Sequence, residues 1–419
     1  MSTNMSSELV VIGGGAAGML AAGTSAELGA RVTLLEPNDR LGKKLYITGK
    51  GRCNVTNDCP PEDFFKNVPR NPRFLYSCVY GFGPQEMMAL LERLGCPLKT
   101  ERGARVFPQS DRSASVIDAL RGYLRAGNVR VKRCCRAEEI LTENGAVTGV
   151  RTDAGTVPAR AVILATGGCS YPLTGSTGDG YRMAAALGHT IVPPVGSLVP
   201  LVEKGHDCKQ MQGLSLRNIA VRLENGRKKT VFTDFGELLF THFGVSGPVI
   251  LSASAHMKEG EAYTLHIDLK PALDEPTLDA RLLREFSENP NRDFDNVLGA
   301  LLPRLMIPIV IRRSGIAPDQ KVNAVTREQR RQLLQVLKDF TVDIACKAPV
   351  EEAIVTSGGV NVSEVEPGTM RSKLVTGLYF AGEILDVDAY TGGFNLQIAW
   401  STARAAAQAA YEQLQEDAE

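Results

Sequence analysis

The chain has 419 residues, of which 43% are hydrophobic and 22% charged, an ordinary globular composition with room for two or three domains. Lys and Arg number 47, as do Asp and Glu, and a neutral chain has no electrostatic reason to bind nucleic acid or an anionic membrane. Met1 to Glu8 lack the basic and apolar regions of a signal peptide, and apolar stretches such as Leu305–Ile311 are too short to span a bilayer.

The number and spacing of the cysteines also indicate in which cellular compartment the protein lies. There are nine cysteines and no C-x-x-C pair, which fits reduced thiols and excludes the dithiol of a flavin disulfide reductase. We therefore expect a cytoplasmic protein with a small-molecule substrate and without a nucleic-acid or membrane partner. The oligomeric state is left open.

The first predicted elements form a strand–turn–helix–strand unit. An apolar run at Leu9–Ile12 ends in glycines, Ala16–Leu28 has the spacing of a helix, and Arg31–Glu36 reads as a second buried strand. This order is typical of the opening of a doubly wound sheet. The Gly-rich stretch from Arg40 to Thr56 predicts a loop that covers a ligand.

The next segment continues the α/β pattern. Its predicted helices are Gln85–Leu94 and Ser113–Leu124, and its predicted strands are Val129–Cys134, Ala137–Leu141 and Ala161–Ala165.

The sequence pattern changes near Ile191. From there on, short predicted strands separated by turns indicate a small β-barrel or sandwich. These predicted strands are Ser197–Val202, Ile219–Leu223, Thr230–Phe235, Glu237–Thr241 and Ala262–Leu269, with Thr341–Cys346 returning later. Residues 271–340 are instead helical, and Thr326 with Gln329 forms a capping-box pattern.

After Ser357 the α/β pattern of the first segment returns, with a predicted strand at Gly377–Ala381 and a final predicted helix over about Asn395–Leu414. We therefore predict an α/β protein: a discontinuous Rossmann-like domain interrupted by a β-rich insert that carries a helical insert. The expected boundaries are 1–190 and 357–419 for the first domain, 191–271 and 341–356 for the barrel, and 272–340 for the helices.

A dinucleotide-binding pattern opens the chain. Gly13 permits a tight turn, Gly15 lets the backbone approach a pyrophosphate, and Gly18 lets the helix pack closely on the strand. The helix N-terminus, with Ala16 and Ala17, then faces the phosphates, and Glu36 can accept hydrogen bonds from ribose hydroxyls. A carboxylate at this position disfavours the 2′-phosphate of NADP, but the pattern alone does not separate FAD from NAD.

Two later patterns favour FAD. One buried strand ends at Thr166-Gly167, where a cofactor can pass without meeting a side chain. Another strand delivers Glu383 directly after Gly382, which suits a ribityl hydroxyl, and a helix begins near Asn395 with its positive end toward the N1/O2 edge of a flavin. Three patterns that converge on one extended ligand predict FAD.

The residues also resemble a known family, the BaiN/YhiN-like flavoproteins, which are NAD(P)/FAD-dependent oxidoreductases sometimes named after an aminoacetone oxidase. The resemblance covers nearly the whole chain. Its motifs are VIGGGAAGM at the start, LGKKLYITGKGRCNVTN at 41–57, ATGGCSYPLTGSTGDGY at 165–181, ELLFTHFGVSGP at 237–248 and SKLVTGLYFAGEILDVDAYTGGFNLQIAWS at 372–401.

The resemblance implies a FAD domain of the two-dinucleotide-binding type, a β-barrel insert and a small helical insert. It further implies that a set of residues surrounds the ribityl chain and ring: Lys44, Gly51, Arg52, Cys53, Asn54, Gly382, Glu383, Gly392, Gly393, Asn395 and Leu396. The chain departs from the family pattern at Ala389-Tyr390 and Phe394, where Gly and Tyr are expected respectively.

Candidate proton-transfer groups follow from chemistry at flavin N5, where hydride exchange is accompanied by a proton. His242 lies in a Gly-punctuated turn of the insert, and a structural histidine is the competing interpretation. Tyr171 and Tyr390 are alternative donors. Cys53 could form a flavin adduct but is favoured as a packing residue, His189 is interpreted as a helix C-terminal cap residue, and no metal site is predicted.

Several functions remain open at this point. The leading hypothesis is reduction of an activated C=C, possibly in a steroid-like or bile-acid-like enone, with NAD(P)H as a transient electron donor because no second GxGxxG unit is found. We expect the substrate between the FAD domain and the insert. The alternatives are an amine or aminoketone oxidase using O2, an RNA-modifying flavoprotein with a basic face at Arg312, Arg313, Arg327, Arg330 and Arg331, and a redox-sensing flavoprotein without turnover.

Overall fold

A computed structural model describes residues 8–258 and 260–417. The chain divides into two compact units, which we call the first unit (Met1–Ser197 with Val350–Glu419) and the second unit (Leu198–Pro349).

Nineteen strands and fourteen α-helices are found in the described residues. The strands are β1 (Leu9–Ile12), β2 (Val32–Glu36), β3 (Thr56–Asn57), β4 (Leu98–Glu101), β5 (Arg105–Pro108), β6 (Arg130–Arg133), β7 (Ala137–Glu143), β8 (Ala146–Thr152), β9 (Gly155–Pro158), β10 (Ala161–Leu164), β11 (Ile191–Ser197), β12 (Leu201–Glu203), β13 (Ser215–Asn225), β14 (Thr230–Phe240), β15 (Gly244–Ser246), β16 (Tyr263–Asp268), β17 (Phe340–Lys347), β18 (Val355–Val360) and β19 (Leu378–Phe380). The helices are α1 (Ala16–Leu28), α2 (Lys43–Ile47), α3 (Pro61–Lys66), α4 (Tyr76–Gly81), α5 (Pro84–Arg93), α6 (Ser113–Ala126), α7 (Asp179–Ala186), α8 (Asp207–Gln210), α9 (Pro248–Ser254), α10 (Glu275–Glu288), α11 (Phe294–Leu298), α12 (Ile307–Ser314), α13 (Arg327–Lys338) and α14 (Phe394–Glu416).

The first unit is built on a parallel five-stranded sheet in the order β19-β10-β1-β2-β6. Strands β1 and β10 are buried along their whole length, as expected for strands covered on both faces. The alanine-rich helices α1 and α14 pack against each other beside this sheet. The Rossmann-type α/β fold predicted from the sequence is thereby confirmed.

The second unit contains a closed six-stranded barrel in the order β12-β15-β14-β13-β16-β17. In β16 the residues Tyr263, Leu265 and Ile267 are buried and alternate with less buried neighbours, which places every second side chain in the barrel core. Helices α10–α13 share one apolar cluster with the barrel. The capping box of Thr326 and Gln329 at the start of α13 is confirmed.

Three sequence predictions were wrong in detail. The strand predicted at Ser197–Val202 is divided, because Leu198 adopts a left-handed φ of 56° between β11 and β12. The two strands predicted at 230–235 and 237–241 are one strand, β14, in which Gly236 pairs with Ile219. The stretch 40–56, predicted as a loop, contains the short helix α2.

Candidate functional site

The carboxyl ends of β1, β10 and β19 meet at one edge of the parallel sheet, where ligands bind in open α/β folds. The Gly13 turn follows β1, Thr166-Gly167 follows β10 shortly after its end, and Gly382-Glu383 follows β19. Backbone bonds join these segments, since Ala165 N donates to Ile12 O at 2.9 Å and Ala381 N donates to Leu164 O at 3.1 Å. The structure therefore brings the three predicted patterns together.

Close approach of backbones explains two of the three glycines of the Gly13-x-Gly15-x-x-Gly18 pattern. A Cβ on Gly13, whose φ is 106°, would lie 2.5 Å from Ala165 O, and a Cβ on Gly18 would lie 1.8 Å from Gly13 O. Gly15 differs, because a Cβ there would meet nothing within 4 Å. It is the N-cap of α1, so open space lies beside the first unpaired N–H groups of that helix, including those of Ala16 and Ala17.

Glu36 ends β2 beside this turn. Its Oε2 accepts the N–H of Gly14 at 2.8 Å, and its Oε1 accepts the backbone N–H and the side-chain amide of Asn38 at 2.8 and 2.6 Å. The Asn38 amide also donates to Thr174 O at 3.1 Å. The carboxylate is thus held in one orientation at the tip of the strand.

A partly buried ion pair lies at the end of β19. Lys44 Nζ donates to Glu383 Oε2 at 2.7 Å and to Ser170 Oγ at 2.6 Å. Glu383 Oε1 also accepts the N–H of Thr356 at 2.8 Å and the Ser170 hydroxyl at 3.1 Å. Lys44 and Glu383 were both predicted site residues, whereas Ser170 and Thr356 were missed. Ser170 stands inside the quoted 165–181 motif, which could have indicated it.

The segment around Asn54 passes the N-terminus of α14. A Cβ on Gly393 would lie 2.4 Å from Thr56 O, and Trp400 Nε1 donates to Val55 O at 3.0 Å. Gly392 and Gly393 have φ values of 124° and 99°, which favour glycine. Asn395 fixes the preceding loop by accepting the N–H of Ala389 at 2.9 Å, and the partly buried Leu396 follows it on the helix.

Two neighbours of Asn54, namely Arg52 and Cys53, make contacts within the protein, and their expected place beside a flavin stays a prediction. The Arg52 guanidinium forms ion pairs with Glu101 and Asp111 and lies 4.1 Å from the Phe107 ring centroid. Adjacent Gly51 has a φ of 83° with open space beside it. Cys53 is fully buried, and burial raises the pKa of its thiol to about 12, which disfavours the reactive thiolate. This supports the interpretation of Cys53 as a packing residue.

Orphaned polar atoms test whether a dinucleotide fits this site. Among the residues that the structure describes, buried side-chain atoms without a hydrogen-bond partner include Asn54 Oδ1 and Thr166 Oγ1. Both belong to the predicted cofactor-binding set. Since buried polar groups are normally paired, acceptors left open beside a glycine turn and two helix N-termini fit a ligand with hydroxyl and ring N–H donors.

The candidate proton-transfer residues have contrasting surroundings. Tyr171 adopts a left-handed φ of 54°, and 37% of its surface is exposed. The N–H of Tyr390 donates to Asn67 O at 2.9 Å, which ties it to the segment after α3. His242 is exposed in the second unit, directly after β14, and packs its ring edge-to-face on Phe243 at 4.9 Å. Its proximity to a flavin stays a prediction.

The sequence did not indicate the buried acid Asp388. Its carboxylate accepts hydrogen bonds from Ser197 Oγ at 2.7 Å and Ser357 Oγ at 2.8 Å. Burial raises the pKa of Asp388, and the nearby Arg70 guanidinium is already paired with Asp386. The two acids alternate with apolar residues in the sequence LDVDA, and that alternation was the available signal.

The interpretation of His189 as a cap residue was wrong for its side chain. The ring is buried, with Nδ1 3.1 Å from Glu364 Oε2 and Nε2 2.8 Å from Ser372 Oγ. Burial lowers the pKa of His189. The histidine therefore joins three segments of the first unit as a neutral structural group.

Two further kinds of feature are absent from residues 8–258 and 260–417. No group of three or more His, Cys, Asp or Glu side chains is placed to hold a metal ion. No α-helix there has the length and apolar character needed to cross a bilayer.

Comparison with known proteins agrees with this geometry. The sequence profile of the family described as HI0933-like protein Rossmann domain matches residues 7–409. The chain belongs to the HI0933-like family. A relative from Clostridium scindens, the 3-dehydro-bile acid delta(4,6)-reductase, is 33% identical over 96% of this chain and 98% of that protein. The ribosomal RNA dihydrouridine synthase of Escherichia coli is 31% identical over 96% and 97%.

A solved structure extends the likeness of the HI0933-like chain at the level of fold. The 3-ketosteroid delta1-dehydrogenase of Sterolibacterium denitrificans has 14% identity and a TM-score of 0.52, covering 97% of this chain and 100% of that one. This identity shows a shared fold alone. As a member of the HI0933-like family, the chain is an enzyme, a flavin-dependent oxidoreductase.

Proposed function

We propose that the protein binds FAD and reduces a C=C bond conjugated to a carbonyl group, with NAD(P)H as a transient electron donor. The observation that carries the FAD assignment is the meeting of the Gly13 turn, Thr166-Gly167 and Gly382-Glu383 at one edge of the sheet, with Glu36 bonded to the first of them. An adenosine ribose needs an acid such as Glu36, and a pyrophosphate needs a helix N-terminus beside open space.

Specific residues would hold each part of the cofactor. Gly15, Ala16 and Ala17 would present N–H groups to the pyrophosphate, and Glu36 would accept from the ribose. Asn54 Oδ1 and Thr166 Oγ1 are buried oxygens with open hydrogen-bonding capacity, suited to accept from hydroxyl or ring N–H donors. Bound FAD would supply a hydride at N5. The N-terminus of α14 would stabilise negative charge on the reduced ring.

The substrate class follows from chemistry shared by two relatives. A 3-dehydro-bile acid with delta(4,6) unsaturation has a C=C conjugated to its C3 ketone, and dihydrouridine is uridine whose C5=C6 bond, next to a carbonyl, has been reduced. For each substrate, addition of a hydride to the carbon β to the carbonyl and of a proton to the α carbon would saturate one C=C bond. Our first candidate substrate is a free enone of steroid or bile-acid type.

A second candidate substrate is a uracil base in RNA. The Escherichia coli relative carries this activity in its name, at nearly the same identity as the bile-acid reductase. The zero net charge of the whole chain does not oppose it, because charges can be separated locally on a neutral protein.

Proton delivery is proposed for His242, with Tyr171 and Tyr390 as alternatives. The imidazole of His242 is exposed and has one ring nitrogen that can donate and one that can accept a hydrogen bond. Tyr171 is supported by its left-handed backbone, since residues held in sparsely populated conformations cluster at functional sites.

Cofactor release and an acceptor panel test the proposal. Denatured protein should release FAD, and recovery of FMN alone, or of no flavin after reconstitution, would contradict the cofactor assignment. Anaerobically photoreduced protein should be reoxidised faster by a cyclic enone or a uridine oligonucleotide than by O2. Fast reoxidation by O2 alone, with turnover of an aminoketone, would favour the oxidase alternative, and no turnover would favour a sensing role.

A further inference from the structure

A ribbon of the second unit, formed by β13, β14 and their connecting turn, carries an exposed cluster of cations. Arg227, Lys228 and Lys229 are consecutive and exposed. Among the described residues, none of the three forms an ion pair with an acidic side chain. Three adjacent cations without ion pairs raise the local positive potential, which attracts phosphate groups.

The turn has a backbone conformation that is uncommon for its sequence. Lys228 has a φ of 58°, a left-handed value where glycine or asparagine is usual. Asn225 stabilises the turn, since its Oδ1 accepts the N–H groups of Arg227 and Lys229, each at 3.1 Å. The three cations are therefore presented on an ordered turn.

A groove of about 530 Å³ lies farther along the same ribbon, on the face where Ala220 pairs with Phe235 and Arg222 pairs with Thr233. Phe235 is 56% exposed, which is unusual for a large aromatic side chain. Thr233 lies four residues from Lys229, or about 13 Å along an extended strand. One short flexible ligand can reach both features.

Most of the charged side chains that line the groove are paired, and the exception among the described residues is Asp234, which forms no ion pair. His266 Nδ1 lies 2.8 Å from Asp339 Oδ1, and Lys338 lies 2.5 Å from Asp268. Arg222 is paired with Glu224. Because its cations are paired, its remaining carboxylate, Asp234, repels phosphate, and one aromatic ring is exposed, the groove suits a flat, uncharged, hydrogen-bonding group better than a phosphate.

The helical cations considered from the sequence differ from those of the ribbon. Arg312 and Arg313 are both paired with Asp207, and Arg330 is paired with Asp279. Of the five arginines predicted as a possible basic face, these three are therefore partly neutralised. The ribbon turn presents the stronger positive cluster.

We infer that the β13–β14 ribbon docks single-stranded RNA, with a base stacked on Phe235 and neighbouring phosphates on residues 227–229. Aromatic stacking combined with cations is how proteins hold single-stranded nucleic acid. The inference rests on the second substrate candidate of the proposed function, and it assigns that substrate a binding surface outside the flavin site.

Binding is measured directly, without turnover, on the FAD-loaded full chain. The probe is a fluorescein-labelled single-stranded RNA of about twelve nucleotides that contains uridine. Its anisotropy is followed between about 50 and 200 mM salt. The test variants are R227E/K228E/K229E, its neutral form R227Q/K228Q/K229Q, and Phe235→Ala. The matched control is R284E/R327E/R331E, which reverses three exposed cations on helices of the same unit.

Loss of the turn cations and loss of the Phe235 ring should change RNA affinity and its salt dependence in different ways. Reversal of the turn cations should raise the Kd at least tenfold and reduce the slope of log affinity against log salt by about 2, at about 0.7 per phosphate contact. Phe235→Ala should raise the Kd about tenfold with the slope unchanged, because stacking releases no counterions. The Kd of the glutamine variant should lie between those of the wild type and the glutamate variant. The helical control should bind RNA with the wild-type Kd.

Several results would overturn the inference: no RNA binding by the wild type, wild-type binding by the turn variants, or an equal loss in the helical control. Heparin binding as tight as RNA binding, with no effect of Phe235→Ala, would replace RNA by a general polyanion. Reduction of a free enone is assayed in parallel. Unchanged enone turnover in the ribbon variants separates failure of RNA docking from failure of the proposed reaction.

Discussion

Replacing Glu36 by alanine removes the acceptor that holds the tip of β2 to the glycine turn. The carboxylate accepts three hydrogen bonds, from Gly14 N at 2.8 Å and from two Asn38 donors at 2.8 and 2.6 Å. A hydrogen bond to a charged group contributes about 1.5–3 kcal/mol. Loss of one such contact to a ribose would raise the Kd for FAD about ten- to hundredfold.

The assay is a titration of apoprotein with FAD, followed by flavin fluorescence, beside thermal unfolding of the same samples. Glu36→Gln keeps one acceptor oxygen and should give an intermediate Kd. Asp39→Asn is the matched control, because that neighbouring carboxylate is 66% exposed and should not affect FAD affinity. A Glu36→Ala protein that folds and binds FAD with wild-type affinity would refute the placement of Glu36 on the ribose.

Four further changes test other parts of the account. His242→Ala should leave FAD content unchanged and slow substrate turnover about a hundredfold, and an unchanged kcat would leave only the structural interpretation. Burial lowers the pKa of His189 below 6.5. As the pH falls through 6.5, the unfolded chain is therefore protonated at this residue more readily than the native state. That contribution to stability is full above about pH 6.5 and falls at lower pH, and the Tm of His189→Gln should therefore decline less than that of the wild type between about pH 7.5 and 5.5. Gly18→Ala places a Cβ 1.8 Å from a carbonyl oxygen and should abolish FAD retention, whereas Gly122→Ala, with open space in α6, should have wild-type FAD content and Tm. The raised pKa of Cys53, about 12, predicts that this thiol resists alkylation near pH 8 while exposed cysteines react, as read by mass spectrometry.

The first strand and helix of the first unit were predicted well from the sequence, because the residue patterns that indicate them lie close together along the chain. The strand at Leu9–Ile12 and the helix at Ala16–Leu28 were placed to the residue. The apolar run, the glycines and the alanine-rich helix lie within twenty residues of one another. Helix α14 was placed within two residues at each end, since its glycine start and long apolar spacing are equally local.

Contacts between distant segments could not be predicted in this way. Ser197 and Ser357 meet on Asp388 across 191 and 31 residues of sequence. His189 similarly depends on Glu364 and Ser372, far along the chain. Two strands were predicted on either side of Gly236, and glycine is a residue type that weakens strands, but the pairing of Gly236 with Ile219 keeps β14 continuous.

The central claim is hydride delivery from bound FAD to a conjugated C=C, and an anaerobic single turnover tests it most directly. Protein with its flavin fully reduced is mixed with a cyclic enone or a uridine-containing RNA, and flavin reoxidation is followed by absorbance while the product is weighed by mass spectrometry. We predict one product molecule per flavin reoxidised, heavier than the substrate by one hydride and one proton. Flavin that stays reduced with both acceptors, or that reoxidises without a product gaining two hydrogens, would contradict the claim.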